Sequence, residues 1–428
     1  PPKKNDRLTA AQVTSVRQWI AAGAPWPDQE TIRRFQEEDR QHASTESVRV
    51  ITSGGTTEEW TNRPYKVENI WAFRPVRASE PPTGVEHPID AFLNRRLAEK
   101  GLTAAKRADR ITLIRRATYD LTGLPPSPAE VADFVSDKSD DAWSKVINRL
   151  LESPHYGEQW GRHWLDVVRY SDTSGYSNDF ERSNAWRYRD YVIRSFNNDK
   201  PYDQFVREQI AGDEIDPGNP VMLIAVGFLR MGPWEHTGMS NEQSDRQNWL
   251  DDVTNSVSQA FLSTALRCCR CHDHKFDPIP TVDYYRFQAV FATTQLAERA
   301  VRFLDGENLD HFKEGKSRLF ELWNQAKADV AGLDAKETAA GKQWAEEKGI
   351  PFVPRTFQNS EVPEEQKPPR AIGLDHTEEG FRKVRKQDVR IWGRRLERYE
   401  PMAQSVYNAG NYYPKSISLR IPEKPFQV

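Results

Sequence analysis

Along this chain the apolar positions recur at helical spacing far more often than at strand spacing. Val13, Val16 and Ile20 repeat every three or four residues before Gly23, which predicts a helix over 9–22 with a glycine stop. Residues 28–67 are polar and charged around Ser53-Gly54-Gly55-Thr56-Thr57 and read as a linker, with some helix near 28–40. Helices follow at 88–100, 109–122, 128–136 and 140–152. Asp109 caps the second and Gly123 stops it. The third opens with Ser127-Pro128-Ala129-Glu130: a capping serine, proline at the first helical position and a glutamate three residues on. A helix near 156–170 sets Trp160, Trp164 and Val168 one turn apart, facing inward. Its Arg162, Asp166 and Arg169 share another face at spacings suited to ion pairs.

Helices at 184–197 and 202–211 come next, and the stretch 227–240 is too rich in glycine for a helix beyond Leu229. A helix over 247–266 aligns Leu250, Val253, Val257 and Phe261 and runs directly into a cysteine-rich segment. Thr281 caps a further helix with an aromatic stripe of Tyr284, Phe287 and Phe291. Residues 307–347 are highly charged and helical, with a break at Gly332-Leu333-Asp334 that predicts a helical hairpin. Residues 351–371 are proline-rich loop, 377–399 a basic helix, and 405–428 short strands. The fold class expected is mainly α: a multi-helix domain with a helical extension and a short β-containing C-terminal segment.

Composition narrows the function classes. The net charge is −3 with acids and bases interleaved, so no nucleic-acid footprint is present. No apolar run reaches the length of a membrane span. Thirteen tryptophans suit either aromatic packing round a cofactor or exposed platforms for sugars, packing being the default. The first residue is not Met and no signal peptide is visible, which is expected of a processed chain or a fragment.

All three cysteines fall within four positions, at Cys268, Cys269 and Cys271, with His272 next. Cys268, Cys271 and His272 spell Cys-x-x-Cys-His. Two thiols at this spacing can add to the two vinyl groups of one porphyrin, and the next imidazole can bind the iron. The same donors with Cys269 and His274 could make a zinc site, although structural zinc sites usually draw on two separated pairs. A redox dithiol is the third reading, without a thioredoxin-like strand and helix around it. Asp273, His274, Lys275 and Asp277 can orient the imidazole or a propionate, or serve as acid and base groups. Asp166 is a further catalytic candidate, or a structural anchor. The loop after Leu229 offers Met239 as sixth ligand, His236 as its alternative and Met231 behind them. The polar and aromatic segment 175–182 can line a sugar site or be ordinary surface loop.

The blocks Trp71-Ala72-Phe73-Arg74-Pro75, Leu121-Thr122-Gly123-Leu124-Pro125-Pro126, Trp164 to Asp172, Trp186 to Ile193 and Cys271-His272-Asp273-His274-Lys275-Phe276-Asp277-Pro278 resemble, in order, the second of the planctomycete-specific cytochrome-type domains. Residues 8–27 resemble the last helix of a class I cytochrome c module. The resemblance implies export to the periplasm, cell envelope or exterior, one covalent haem c, and a second haem upstream of this chain. It implies a division into 1–27 (cytochrome-module helix), 28–67 (linker), 68–295 (the cytochrome-type domain), 296–399 (charged helical extension) and 400–428 (strands leading toward a further domain). It supplies no reaction. The expected function is electron transfer or haem-dependent oxidoreduction, with a redox partner protein or an adjacent cytochrome domain, and an oligomer is compatible with it. The alternatives are a haem-dependent oxidoreductase on an extracellular carbohydrate-like substrate, and an envelope-assembly component in which haem or zinc only stabilises the fold.

Overall fold

Local capping sets many of the helices in the computed structural model, which describes residues 9–23, 28, 30, 34, 47–49, 64–84, 87–176, 179, 181–234, 242–356, 359 and 361–408. Helix α1 spans Ala10–Ala21, and β1 (Ser47–Arg49) pairs antiparallel with β2 (Pro64–Lys66). A 3-10 segment, Val67–Phe73, continues from β2. Then come α2 (Pro88–Glu99), α3 (Arg110–Thr122), α4 (Pro128–Ser136), α5 (Ala142–Leu151), α6 (Pro154–Val167), α7 (Ala185–Asn197), α8 (Tyr202–Ile215) and α9 (Pro220–Ala225). The chain continues through α10 (Glu242–Leu262), α11 (Thr281–Ala289), β3 (Thr294–Ala300), α12 (Phe312–Lys348), α13 (His376–Leu396) and β4 (Met402–Asn408). The class is mainly α, with two antiparallel strand pairs among the described residues. Among the described residues no helix is long and apolar enough to cross a membrane.

Two compact units result. The first joins Pro1–Thr103 to Ala265–Ala289, and the second joins Ala104–Thr264 to Val290–Val428. The expected 68–295 segment thus contributes to both. In the second unit, Ile114, Phe134, Ala142, Val146 and Leu150 close α3–α5 into one apolar cluster. Asp109 caps α3, its carboxylate accepting from Thr112 N at 2.9 Å, and Gly123 ends that helix in the left-handed region at φ 71°. Ser127 and Glu130 complete the capping box of α4. An aromatic core joins α6, α7, α8 and α10: Trp164 meets Phe205 at 5.0 Å and Phe261 at 5.6 Å. The strands β3 and β4 pair from Thr294–Asn408 to Ala300–Met402. Arg230 reaches both, donating to the carbonyls of Ala297 at 2.8 Å and Ser405 at 3.1 Å.

Several expectations are corrected. Trp160 is 39% exposed, because α6 turns Gly157 and Gly161 toward α7 and leaves Trp160 at the rim. Arg169 forms a two-pronged pair with Asp252 at 2.6 and 2.9 Å rather than pairing with Asp166. Helix α8 runs on to Ile215 through non-helical angles at Ala211. Helix α10 ends at Leu262, where Ser263 turns left-handed at φ 52°, so it does not run into Cys268. No break occurs at Gly332: α12 is continuous, and the hairpin is made instead by α12 and α13. A lone helical glycine weakens a helix by about 1 kcal/mol but does not break it when a partner helix packs along it. The linker holds the β1–β2 pair, and β3 was not expected. The calls beyond Asn408 lie outside the described residues.

Candidate functional site

The cysteine segment belongs to the first unit and sits on a short 3-10 turn, Arg267–Arg270. The turn sorts the three thiols. Cys269 is fully buried with Leu266 and Tyr284, against Ile279 and Phe287. Its thiol donates to the Ile279 carbonyl at 3.7 Å, and burial pushes its pKa up to about 11. Cys268 and Cys271, one residue before and two after, are exposed. One cysteine is therefore a core side chain, and the two at Cys-x-x-Cys spacing face solvent.

His272 follows on the same turn, its backbone N donating to Cys268 O at 3.4 Å. Its Nδ1 lies 2.8 Å from the Asp273 carbonyl oxygen. With Nδ1 donating there, Nε2 carries the lone pair, the tautomer a metal-binding imidazole needs. The Asp273 carboxylate has a different task. It is buried and accepts from Thr281 N at 2.7 Å, capping α11 from eight residues upstream. So Asp273 orients the imidazole through its backbone, while its side chain holds the following helix.

His274 braces the next turn. Its ring Nδ1 accepts from Asp277 N at 2.9 Å and Phe276 N at 3.3 Å. The Asp277 carboxylate stands 3.1 Å from that same nitrogen, but a ring nitrogen accepting two backbone N–H groups carries no proton to share. His274 N also donates to Ile279 O at 2.8 Å, which closes the 274–279 turn. Tyr285 on α11 donates its hydroxyl to Arg270 O at 2.9 Å, and Tyr65 on β2 donates to Asp277 O at 3.0 Å. The Cys-x-x-Cys-His turn is thus tied to a helix behind it and a strand beside it. The same unit exposes Trp71, Phe73 and Phe276. Trp71 stands six residues beyond Tyr65, on the 3-10 segment that continues from β2. Phe276 adjoins the Asp277 that Tyr65 holds.

The remaining candidates lie elsewhere in the chain. Asp166 is exposed on α6 and Met231 is buried in the core, both in the second unit. Met239 and His236 lie outside the described residues. Among the described residues no group of three or more His, Cys, Asp and Glu side chains is placed to hold a metal ion. Cys269 and His274, which a zinc site would recruit, are committed to the core and to the turn. Sequence reasoning assigned Asp273 to orientation without separating its carbonyl from its carboxylate. The signal was Pro280-Thr281, where proline leaves the next helix start in need of a cap from elsewhere.

Residues 88–296 match the PSCyt2 family model, described as a protein of unknown function (DUF1549). The matched PSCyt2 segment contains the whole Cys-x-x-Cys-His turn, α11 and the aromatic helices α6–α10. The family carries no assigned reaction, and the match does not extend to the cytochrome-module helix expected before residue 28. No curated protein and no solved structure matches the chain.

Proposed function

We propose that this chain is an exported c-type haem protein acting in electron transfer or haem-dependent oxidoreduction. Cys268 and Cys271 are its thioether anchors and His272 its proximal ligand. The observation that carries the reading is the sorting of three adjacent cysteines: the two at attachment spacing are exposed and the one between them is a core residue. Haem attachment consumes two free thiols, and burial in the folded chain disfavours Cys269 for that chemistry. The His272 Nδ1 contact with a backbone carbonyl adds a second fit, since it fixes the orientation of the imidazole. Exposed Trp71, Phe73 and Phe276 add apolar surface of the kind a porphyrin face packs against. When bound, the haem would supply a one-electron couple, tuned by its axial ligands and burial.

The protein's own contribution is to hold the two thiols and one imidazole on a turn whose backbone is fixed by Tyr285, Asp273 and Tyr65. Electrons would pass to a partner protein or an adjacent cytochrome domain in the periplasm or cell envelope. The sixth ligand would come from the segment holding Met239 and His236. An alkaline pyridine haemochrome spectrum of acid-acetone-extracted protein, produced with a c-type maturation system, tests the reading. The expected result is a c-type band that stays with the polypeptide and disappears in Cys268→Ala/Cys271→Ala. A colourless protein carrying one zinc per chain overturns it.

A further inference from the structure

A cavity of about 230 Å³ opens in the second unit where α6, the end of α7 and the start of α8 meet. It is smaller than the roughly 300–1,000 Å³ of sites for drug-sized ligands, so its occupant is a single ring. Trp164, Phe196, Tyr202 and Phe205 supply its aromatic wall. Trp164 turns its polar edge away from the cavity: Nε1 donates to Gln209 Oε1 at 2.9 Å and to the Tyr188 hydroxyl at 3.3 Å, both in the core. Behind the wall, Phe205 stacks on Tyr191 with centroids 5.9 Å apart. Trp164 and Phe205 are therefore held from behind and present ring carbon.

The charged groups decide the class of ligand. Lys200 lines the cavity, but its ammonium is bonded to the buried Glu208 carboxylate and sits 4.6 Å from the Tyr191 ring centre. Glu208 also accepts from the Tyr191 hydroxyl at 2.8 Å and from Gln204 Nε2 at 2.7 Å. An anion entering the cavity meets an ammonium whose charge is already matched. An organic cation finds no unpaired carboxylate inside, since Glu208 is matched by Lys200 and Asp199 stands at the solvent-screened lip. A neutral ring meets neither problem. Its C–H face packs on the aromatic wall, while the exposed Asp199 carboxylate and the Tyr202 hydroxyl, both at the lip, accept from and donate to hydroxyl groups.

We propose that this cavity is a binding site for a neutral, ring-shaped polyol of monosaccharide size. The inference is independent of haem attachment. Asp199 has left-handed backbone at φ 46°, so Asp199→Gly removes the carboxylate and suits the backbone. Tyr202 is 60% exposed, so Tyr202→Ala removes the hydroxyl and ring without opening the core.

The test is isothermal titration and saturation-transfer NMR on the full chain. The probes are glucose, galactose, xylose and fucose, with choline and benzoate as the charged comparators. At least one sugar should bind saturably, and each variant should weaken it by about tenfold with its melting temperature kept. Three results overturn the proposal: no binding by any of the four sugars, tighter binding of choline or benzoate than of every sugar, or variants that bind as the parent does. A variant that loses its melting transition is replaced by Tyr202→Phe, which keeps the ring and should weaken the same sugar through the lost hydroxyl.

Discussion

The fate of Cys269 turns on which way one side chain points. Burial favours its neutral thiol, so the folded state holds its pKa near 11 against an ordinary value of 9.0. At pH 8 only about one such thiol in a thousand is thiolate, against roughly a tenth for a thiol at the ordinary value. In protein prepared without attached haem, a disulfide reagent at pH 8 should therefore modify two thiols rapidly and the third only on unfolding. Three fast thiols would sink the assignment of Cys269 to the core. The linkage sign follows from the raised pKa. The neutral Cys269 contributes its stability fully below the unfolded value, and that contribution is lost as pH rises from about 9 through about 11. Cys269→Ala should flatten this alkaline limb in urea denaturation measured across that window. An unchanged limb would place its origin in other groups.

Among elements, two helical glycines with the same propensity cost should respond in opposite directions. In α12, Gly332 has nothing within 4 Å of where a Cβ would stand, so Gly332→Ala should stabilise by about 0.5–1 kcal/mol. In α6, a Cβ on Gly157 would collide with the Ile193 carbonyl and Asn197 on α7. Gly157→Ala should therefore destabilise by about 1–3 kcal/mol despite its better propensity. Urea midpoints of the two variants check the pair, and equal shifts would contradict the close approach of α6 to α7. The same contrast explains what was legible beforehand. Asp109, Gly123 and the Ser127–Glu130 box act within one turn, so the sequence shows them. The Cys-x-x-Cys-His spacing is equally local. Trp160 was misplaced because spacing alone cannot show that Gly157 and Gly161 set the contact face. Strand β3 escaped notice because its partner β4 begins about a hundred residues later. Thr294–Ala300 alternates too weakly to declare a strand by itself. The capping task of Asp273 is likewise visible only once the 274–279 turn brings it to Thr281.

At the scale of the molecule, the second unit is closed by chain on both sides of the Cys-x-x-Cys-His segment, and a buried arginine fastens it. Arg187 on α7 pairs with Glu307 at 2.8 and 3.0 Å, both side chains buried, and donates to the carbonyls of Val301, Arg302 and Met402. Arg187→Met leaves the Glu307 carboxylate buried without its cation and should cost about 3–5 kcal/mol. Combining it with Glu307→Gln should recover part of that loss in a double-mutant cycle, whereas simple additivity would show no coupling across this joint. Because these contacts and the Ile114 and Trp164 clusters lie within 104–264 and 290–428, the second unit has a core that contains no residue of the Cys-x-x-Cys-His turn. Residues 265–289 leave that unit at Thr264 and return at Val290, and Arg246 bonds the carbonyls of Phe291 and Ala292 just past the return. Haem attachment to Cys268 and Cys271 should therefore protect the first unit selectively. Hydrogen exchange comparing the parent, matured with haem, against Cys268→Ala/Cys271→Ala should show protection lost in 64–73 and 265–289 and kept in α3–α8. Protection lost throughout would mean that the second unit depends on the attached group, and its buried arginine and aromatic cores would then be insufficient to hold it.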